Sequence, residues 1–198
     1  MAVLYTFRYS FLMRTQTRII VPEKENPALR DIAKNVPIGD IQSPRIKKLI
    51  AEMKTLLAKE EYGVALAAPQ VGEPLRLFVV SGKALARDAR NSPDEPKNIE
   101  VKPHRAEVAD QVYINPIMTK VSRAKKEKHE GCLSIRGKWG LVKRAEKATI
   151  QAHDELGRVF TRGASGFLAH VFQHEMDHLD GVLYTDKATH VYDDSKET

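Results

Sequence analysis

The sequence predicts an α+β fold: mixed and antiparallel sheets around a central C-terminal helix carrying an HExxH motif, with an N-terminal helix packed outside. Three observations lead there. Apolar residues recur at helical spacing over 46–57, β-forming runs separated by turn signals occupy 75–80, 112–121 and 148–161, and a second helical pattern occupies 166–179. Helix first, strands together and helix last is the order of a segregated α+β protein rather than of alternating βαβ units. The 198 residues suffice for one compact domain. With 42% apolar and 29% charged residues the chain is too apolar for a disordered one. No run approaches the roughly 18 apolar residues that a membrane-crossing helix needs. A single cysteine, Cys132, excludes an internal disulfide and points to a reducing compartment. The net charge of +6 is compatible with work beside nucleic acid without requiring it.

Residues 1–20 carry Arg8, Arg14 and Arg18 and no acidic residue, a faint likeness to an organelle-targeting peptide. They contain no continuous apolar core and no small-residue cleavage site. We read 1–17 as a short extension, 18–187 as the folded domain and 188–198 as a short acidic tail. Ser43 is a good N-cap and Pro44 suits the first helical position. Ile46, Leu49, Ile50, Met53, Leu56 and Leu57 then form the apolar face, and Gly63 ends the helix. Leu75 to Val80 reads as a strand. Residues 81–110, with Pro93, Pro96 and Pro103 among many charges, read as a polar surface insert with nothing to bury. Val112 to Val121 returns to strand character. The basic run Lys120 to Lys128 reads as a solvated hairpin or loop. Asp154-Glu155-Leu156-Gly157, flanked by Ala148 to His153 and Arg158 to Thr161, is a hairpin signal.

The last helix, Gly166 to Leu179 with Ser165 as its cap, contains His174-Glu175-Met176-Asp177-His178. Residues four apart share a helix face, so both imidazoles can reach one metal ion. Glu175 lies about 100° around, beside the ion and free to move protons. An HExxH string arises by chance in about one chain in a hundred of this length. Phe167, Val171, His174 and His178 follow one stripe, where two unexplained histidines would be costly unless paired or metal-bound. His170 extends the series. At roughly 1.5 Å per residue it stands about 12 Å from His178 along the axis, too far to share an ion with it. It reads as a pocket-lining or satisfied core histidine.

A third ligand is needed. Gly181 fits the metzincin pattern, but Tyr184 stands where that pattern requires histidine. The only glutamate beyond the helix is Glu197, in the tail. The upstream candidate is Cys132, inside Glu130-Gly131-Cys132-Leu133-Ser134. A lone cysteine is by default a small buried hydrophobe, and the missing third donor favours ligation instead.

Three separated motifs then match one family. Gly63-Val64-Ala65-Leu66-Ala67-Ala68-Pro69-Gln70 resembles the GxGLAAxQ of the peptide deformylases. Glu130 to Ser134 is similar to their EGCLS, and Gln173 to Gly181 to their QHExDHLxG. Weaker similarity runs through Asn26 to Arg30, Ile114-Asn115-Pro116 and Arg144, covering about 18–187. The resemblance implies Fe²⁺ held by Cys132, His174 and His178, with Zn²⁺, Ni²⁺ or Co²⁺ able to replace it in purified material. It implies removal of formyl from N-formylmethionine on new polypeptides, with Glu175 as general base and acid. Gln70 and the Leu133 N–H would stabilise the oxyanion. Gly63, Val64, Phe167, His170 and Val171 would bind substrate. A cytoplasmic monomer acting on nascent peptides near the ribosomal exit tunnel is expected, with no membrane and no specific nucleic-acid sequence as partner. The alternative is an HExxH metalloprotease. Two departures stand out: Ala65 replaces the motif's second glycine, and Ile135-Arg136-Gly137 stands where a proline often precedes the glycine. The acidic end also lacks the long basic helix by which some relatives dock on ribosomes.

Overall fold

The computed structural model describes residues 18–90 and 108–194. The extension read at 1–17, residues 91–107 of the insert and 195–198 of the tail lie outside the described residues. Helix α1 spans Pro44–Lys59, capped by Ser43, whose hydroxyl accepts a hydrogen bond from the Ile46 N–H at 3.3 Å. It ends before Gly63, and Gly63 packs on its last turn: a Cβ there would lie 2.8 Å from Glu60 Cβ and 2.9 Å from Leu57 Cδ1.

Strands β1 (Ala65–Ala67), β2 (Leu77–Val80), β3 (Gln111–Val121), β6 (Lys147–His153) and β7 (Val159–Ser165) form a five-stranded sheet in the order β1-β2-β3-β6-β7. Strands β4 (Lys125–Cys132), β5 (Ile135–Ala145) and β8 (His190–Asp193) form a second, three-stranded sheet. All pairings within both sheets are antiparallel. The β6–β7 turn is the predicted one: Asp154 Oδ1 accepts from the N–H groups of Leu156 and Arg158, and Gly157 takes φ +79°.

Helix α3, Gly166–Leu179, covers one face of the five-stranded sheet, and α1 covers the other. Alternation along β2 explains why the whole strand is apolar. Phe78 and Val80 join Leu168, Phe172 and Met176 of α3, while Leu77 and Val79 join Ile46, Ile50 and Met53 of α1. Tyr113 stacks on Phe78 with ring centroids 4.6 Å apart and meets Phe172 edge-on at 5.2 Å, centring the inner core.

Three readings of the sequence are corrected here. The stretch read as a polar insert opens with helix α2, Gly82–Arg90, which buries Ala84 and Leu85 in the inner core. Two apolar residues suffice to dock a short helix, a signal too sparse for periodicity to show. Within the tail, His190–Asp193 pair with Leu141 to Lys138 of β5 as strand β8. The basic run is solvated as read, but it is no single hairpin or loop: it is divided between β3 and β4 of the two different sheets, with Ser122 to Ala124 between them. A short helix α4, Tyr184–Lys187, links α3 to β8.

Candidate metal centre

Cys132 ends β4, and Leu133 and Ser134 make the two-residue connection before Ile135. This hairpin tip lies beside α3, where His174 and His178 share a face with ring centroids 4.9 Å apart and planes at 86°. One ligand atom each from Cys132, His174 and His178 lies within 4.8 Å of the others. Cys132 Sγ stands 3.3 Å from His178 Nε2. Burial would raise the thiol's pKa, but His178 and His174 outweigh it and hold the thiol well below its usual range. A thiolate with two imidazole nitrogens suits Zn²⁺, Fe²⁺ and related ions, so the donor set fits a resident divalent metal.

Glu130 organises this set. Its carboxylate accepts from Arg144 Nε at 2.7 Å and Nη2 at 2.9 Å, from His170 Nε2 at 2.6 Å and from His174 Nδ1 at 2.8 Å. Burial alone would raise its pKa, yet these donors keep it ionised, well below the ordinary carboxylate range. Because an ionised carboxylate only accepts, His174 must donate from Nδ1, which leaves Nε2 for the metal. For His174, burial opposes the charged form, but Cys132 and Glu130 raise its pKa well above the usual value. That proton is one a metal ion displaces on binding. Arg144 also bonds Asp177 at 2.6 Å, and Asp177 takes Lys187 at 2.6 Å.

Glu175 is not among the three donors. It is 4% exposed, and its Oε2 has no hydrogen-bond partner among the described residues. Burial raises its pKa despite the nearby histidines. Gln70 is equally buried. Its Oε1 accepts from the Ala67 N–H at 2.8 Å, which turns Nε2 toward Cys132 Sγ (3.4 Å) and Ser134 Oγ (3.5 Å).

Of the residues expected to bind substrate, Val64, Phe167 and Val171 fall in one apolar cluster. Arg87 lies over the Phe167 ring, 4.3 Å from its centroid. His170 Nε2 bonds Glu130, and Gly63 contacts the end of α1. Leu133 packs with the outer core. Ala65 lies in β1 with a negative φ, so its methyl strains no backbone. Arg136 makes a two-pronged ion pair with Glu60, at 2.7 and 3.1 Å. Gly181 and Tyr184 have structural reasons for their places. Gly181 takes φ +72° in a helix-ending turn, where the Val182 N–H reaches Asp177 O at 2.9 Å and a Cβ would sit 2.8 Å from Arg30 O. The Tyr184 ring stacks on His174 at 6.2 Å, and its hydroxyl donates to Lys138 O. Reading the sequence overlooked the grip of Glu130, Asp177 and Tyr184. A wheel placing Asp177 one turn pair after His170 was the available hint.

The architecture defines a two-sheet α+β protein whose helix brings an HExxH pair to a cysteine on a neighbouring hairpin. The family model described as Polypeptide deformylase matches residues 19–193. The chain belongs to that family. It is 37% identical over 163 residues to Peptide deformylase 1A, chloroplastic/mitochondrial, of Arabidopsis thaliana, covering 82% of this chain and 58% of that protein. With Peptide deformylase 2 of Nostoc sp. it is 35% identical, covering 82% of this chain and 81% of the relative. The chain thus spans a little over half of the plant relatives it matches, at 58% and 56% of their lengths. Among solved structures it resembles Arabidopsis thaliana peptide deformylase 1B in complex with an inhibitor (TM-score 0.68, 32% identity, 86% of this chain and 81% of that chain). It also resembles the peptide deformylase of Thermotoga maritima (TM-score 0.68, 27% identity, 88% and 99%).

Proposed function

We propose that this chain removes the formyl group from N-formylmethionine at the start of nascent polypeptides. The observation that carries this reading is the convergence of Cys132, His174 and His178, with donor atoms within 4.8 Å of one another, beside a buried Glu175 outside that set. A divalent ion there, Fe²⁺ by the family resemblance, would supply Lewis acidity and an acidified water. Glu175 Oε2 accepts the water's proton as attack on the formyl carbon proceeds, and gives it to the departing amine. The Gln70 amide, already oriented by Ala67, and the Leu133 N–H donate to the oxygen where charge develops. Strand β1 is an edge of its sheet, so a peptide can lie along it as an added strand. Val64, Phe167 and Val171 then hold the methionine side chain, and His170 borders it through its place on Glu130.

The test is formate release from formyl-Met-Ala before and after metal removal. Chelation abolishes release, and re-addition of Fe²⁺, Co²⁺ or Ni²⁺ restores it. Undiminished turnover by metal-free protein would sink the reading. Cleavage of unformylated peptides would return the metalloprotease alternative.

The three apolar residues also set an expectation for the first side chain. Exchanging methionine for a charged group should cost about ten- to two-hundredfold in kcat/KM. Formyl-Met-Ala and formyl-Asp-Ala at limiting substrate make the comparison, and equal rates would remove Val64, Phe167 and Val171 from the pocket.

The reading extends to a monomer whose catalytic domain is 18–187, working in the cytoplasm where nascent chains leave the ribosome. No helix among the described residues is long and apolar enough to cross a membrane. The relatives' names instead include chloroplast and mitochondrion. A fluorescent fusion to residues 1–20 stays cytoplasmic on this reading, and organelle import of the fusion would correct it.

A further inference from the structure

Lys126 and Lys128 alternate along β4 with Lys125, Glu127 and His129, so they project from the same face as Glu130. At Glu130 that face is buried against α3, and toward Lys128 and Lys126 it opens to solvent. Lys128 is half-buried and Lys126 exposed, so both ammonium groups stand where the face opens to solvent, with room beside them for a counter-charge. Glu130 cannot supply it, since Arg144, His170 and His174 already occupy its oxygens. Neither lysine has a carboxylate within ion-pair distance among the described residues.

A cavity of about 180 Å³ opens beside them, lined among others by Lys126, Lys128, Arg144, Glu146, Gly166 and His170. Its inner wall is built: Arg144 is 5% and His170 8% exposed, and both are fixed by Glu130. Glu146, exposed at the rim, is the one carboxylate among the lining residues. None of Val64, Phe167 and Val171 borders this space.

We propose that this cavity is a binding site for a small oxyanion, held by the Lys126 and Lys128 ammonium groups against the Arg144–His170 wall. Charge-assisted hydrogen bonds from two ammonium groups give such a ligand its affinity. A free tetrahedral oxyanion and a carboxylate side chain of a bound peptide share this chemistry. The site stands on these side chains alone and does not depend on the reaction assigned above. The competing explanation is that β4 is an edge of its sheet, where lysines deter pairing with other chains.

The experiment is calorimetric titration of the metal-loaded protein with sodium sulfate, with chloride adjusted to hold ionic strength constant. Saturable one-site binding is expected. The double variant Lys126→Gln/Lys128→Gln weakens it by about tenfold or more, and Lys126→Arg/Lys128→Arg retains it. Lys128→Gln alone provides the measurement if the double variant does not fold. Displacement of sulfate by formyl-Asp-Ala identifies a peptide carboxylate as the source, and its failure to displace identifies the free oxyanion. Unchanged sulfate affinity in the glutamine variants overturns the proposal. If those variants also self-associate, the lysines guard the edge instead.

Discussion

Glu175→Gln is expected to lower turnover of formyl-Met peptides by about 10²- to 10⁴-fold while leaving metal content unchanged. The substitution preserves the shape of the side chain and removes its ability to take a proton. Since Glu175 is not one of the three donors, the bound ion should survive the change. The wild-type pH profile gives a companion result. Burial raises the Glu175 pKa above the ordinary carboxyl value, so activity falls on the acid side as pH drops through that raised value and the base is protonated. Metal analysis with formate release checks the assignment. A variant that turned over near the wild-type rate would strip Glu175 of its role, and one that lost its metal would make it a ligand.

Arg144→Met is expected to destabilise the protein by about 3–5 kcal/mol. The guanidinium is 5% exposed and bridges Glu130 and Asp177, so its removal takes the shared cation from two buried carboxylates and leaves Glu130 with only His170 and His174 and Asp177 with only Lys187. For a chain of this size that corresponds to a fall of roughly 6–20 °C in Tm. The same network predicts the acid response of the wild type. Glu130 has a folded pKa below its unfolded one, so its contribution is fully present above the ordinary carboxyl value. It is lost as pH falls below about 4.5 toward the depressed value. Thermal melts of wild type, Arg144→Met, Glu130→Gln and Arg144→Met/Glu130→Gln resolve the coupling. The double variant should lose less than the sum of its parts, because it no longer strands the Glu130 charge. Additive losses would mean that Arg144 and Glu130 do not stabilise each other.

The network also shows why the candidate site was only partly legible in sequence. His174, Glu175 and His178 lie within five residues of one helix, and helical geometry alone sets their relative directions. Cys132 entered the reading as the missing donor, by exclusion and then by likeness, because nothing local ties residue 132 to residue 174. Glu130 stood in view inside its motif, but its four bonds come from residues 144, 170 and 174. His170 reads as pocket-lining or as a satisfied core histidine, and its Nε2 bonds the Glu130 carboxylate, a partner forty residues away that no local pattern announces.

What the sequence determined by itself was local: the helix capped by Ser43 and closed before Gly63, the strand character of 75–80, the Asp154–Gly157 turn and the helix that presents two histidines four apart. Each follows from propensity, capping or periodicity over neighbouring residues, and each recurs in the structure. The tertiary structure alone decided that Ala84 and Leu85 dock a short helix, that His190–Asp193 become the third strand of a sheet, and that Arg136 reaches Glu60. Those outcomes rest on partners tens of residues away, whose surfaces and charges exist only once the two sheets have closed around α3.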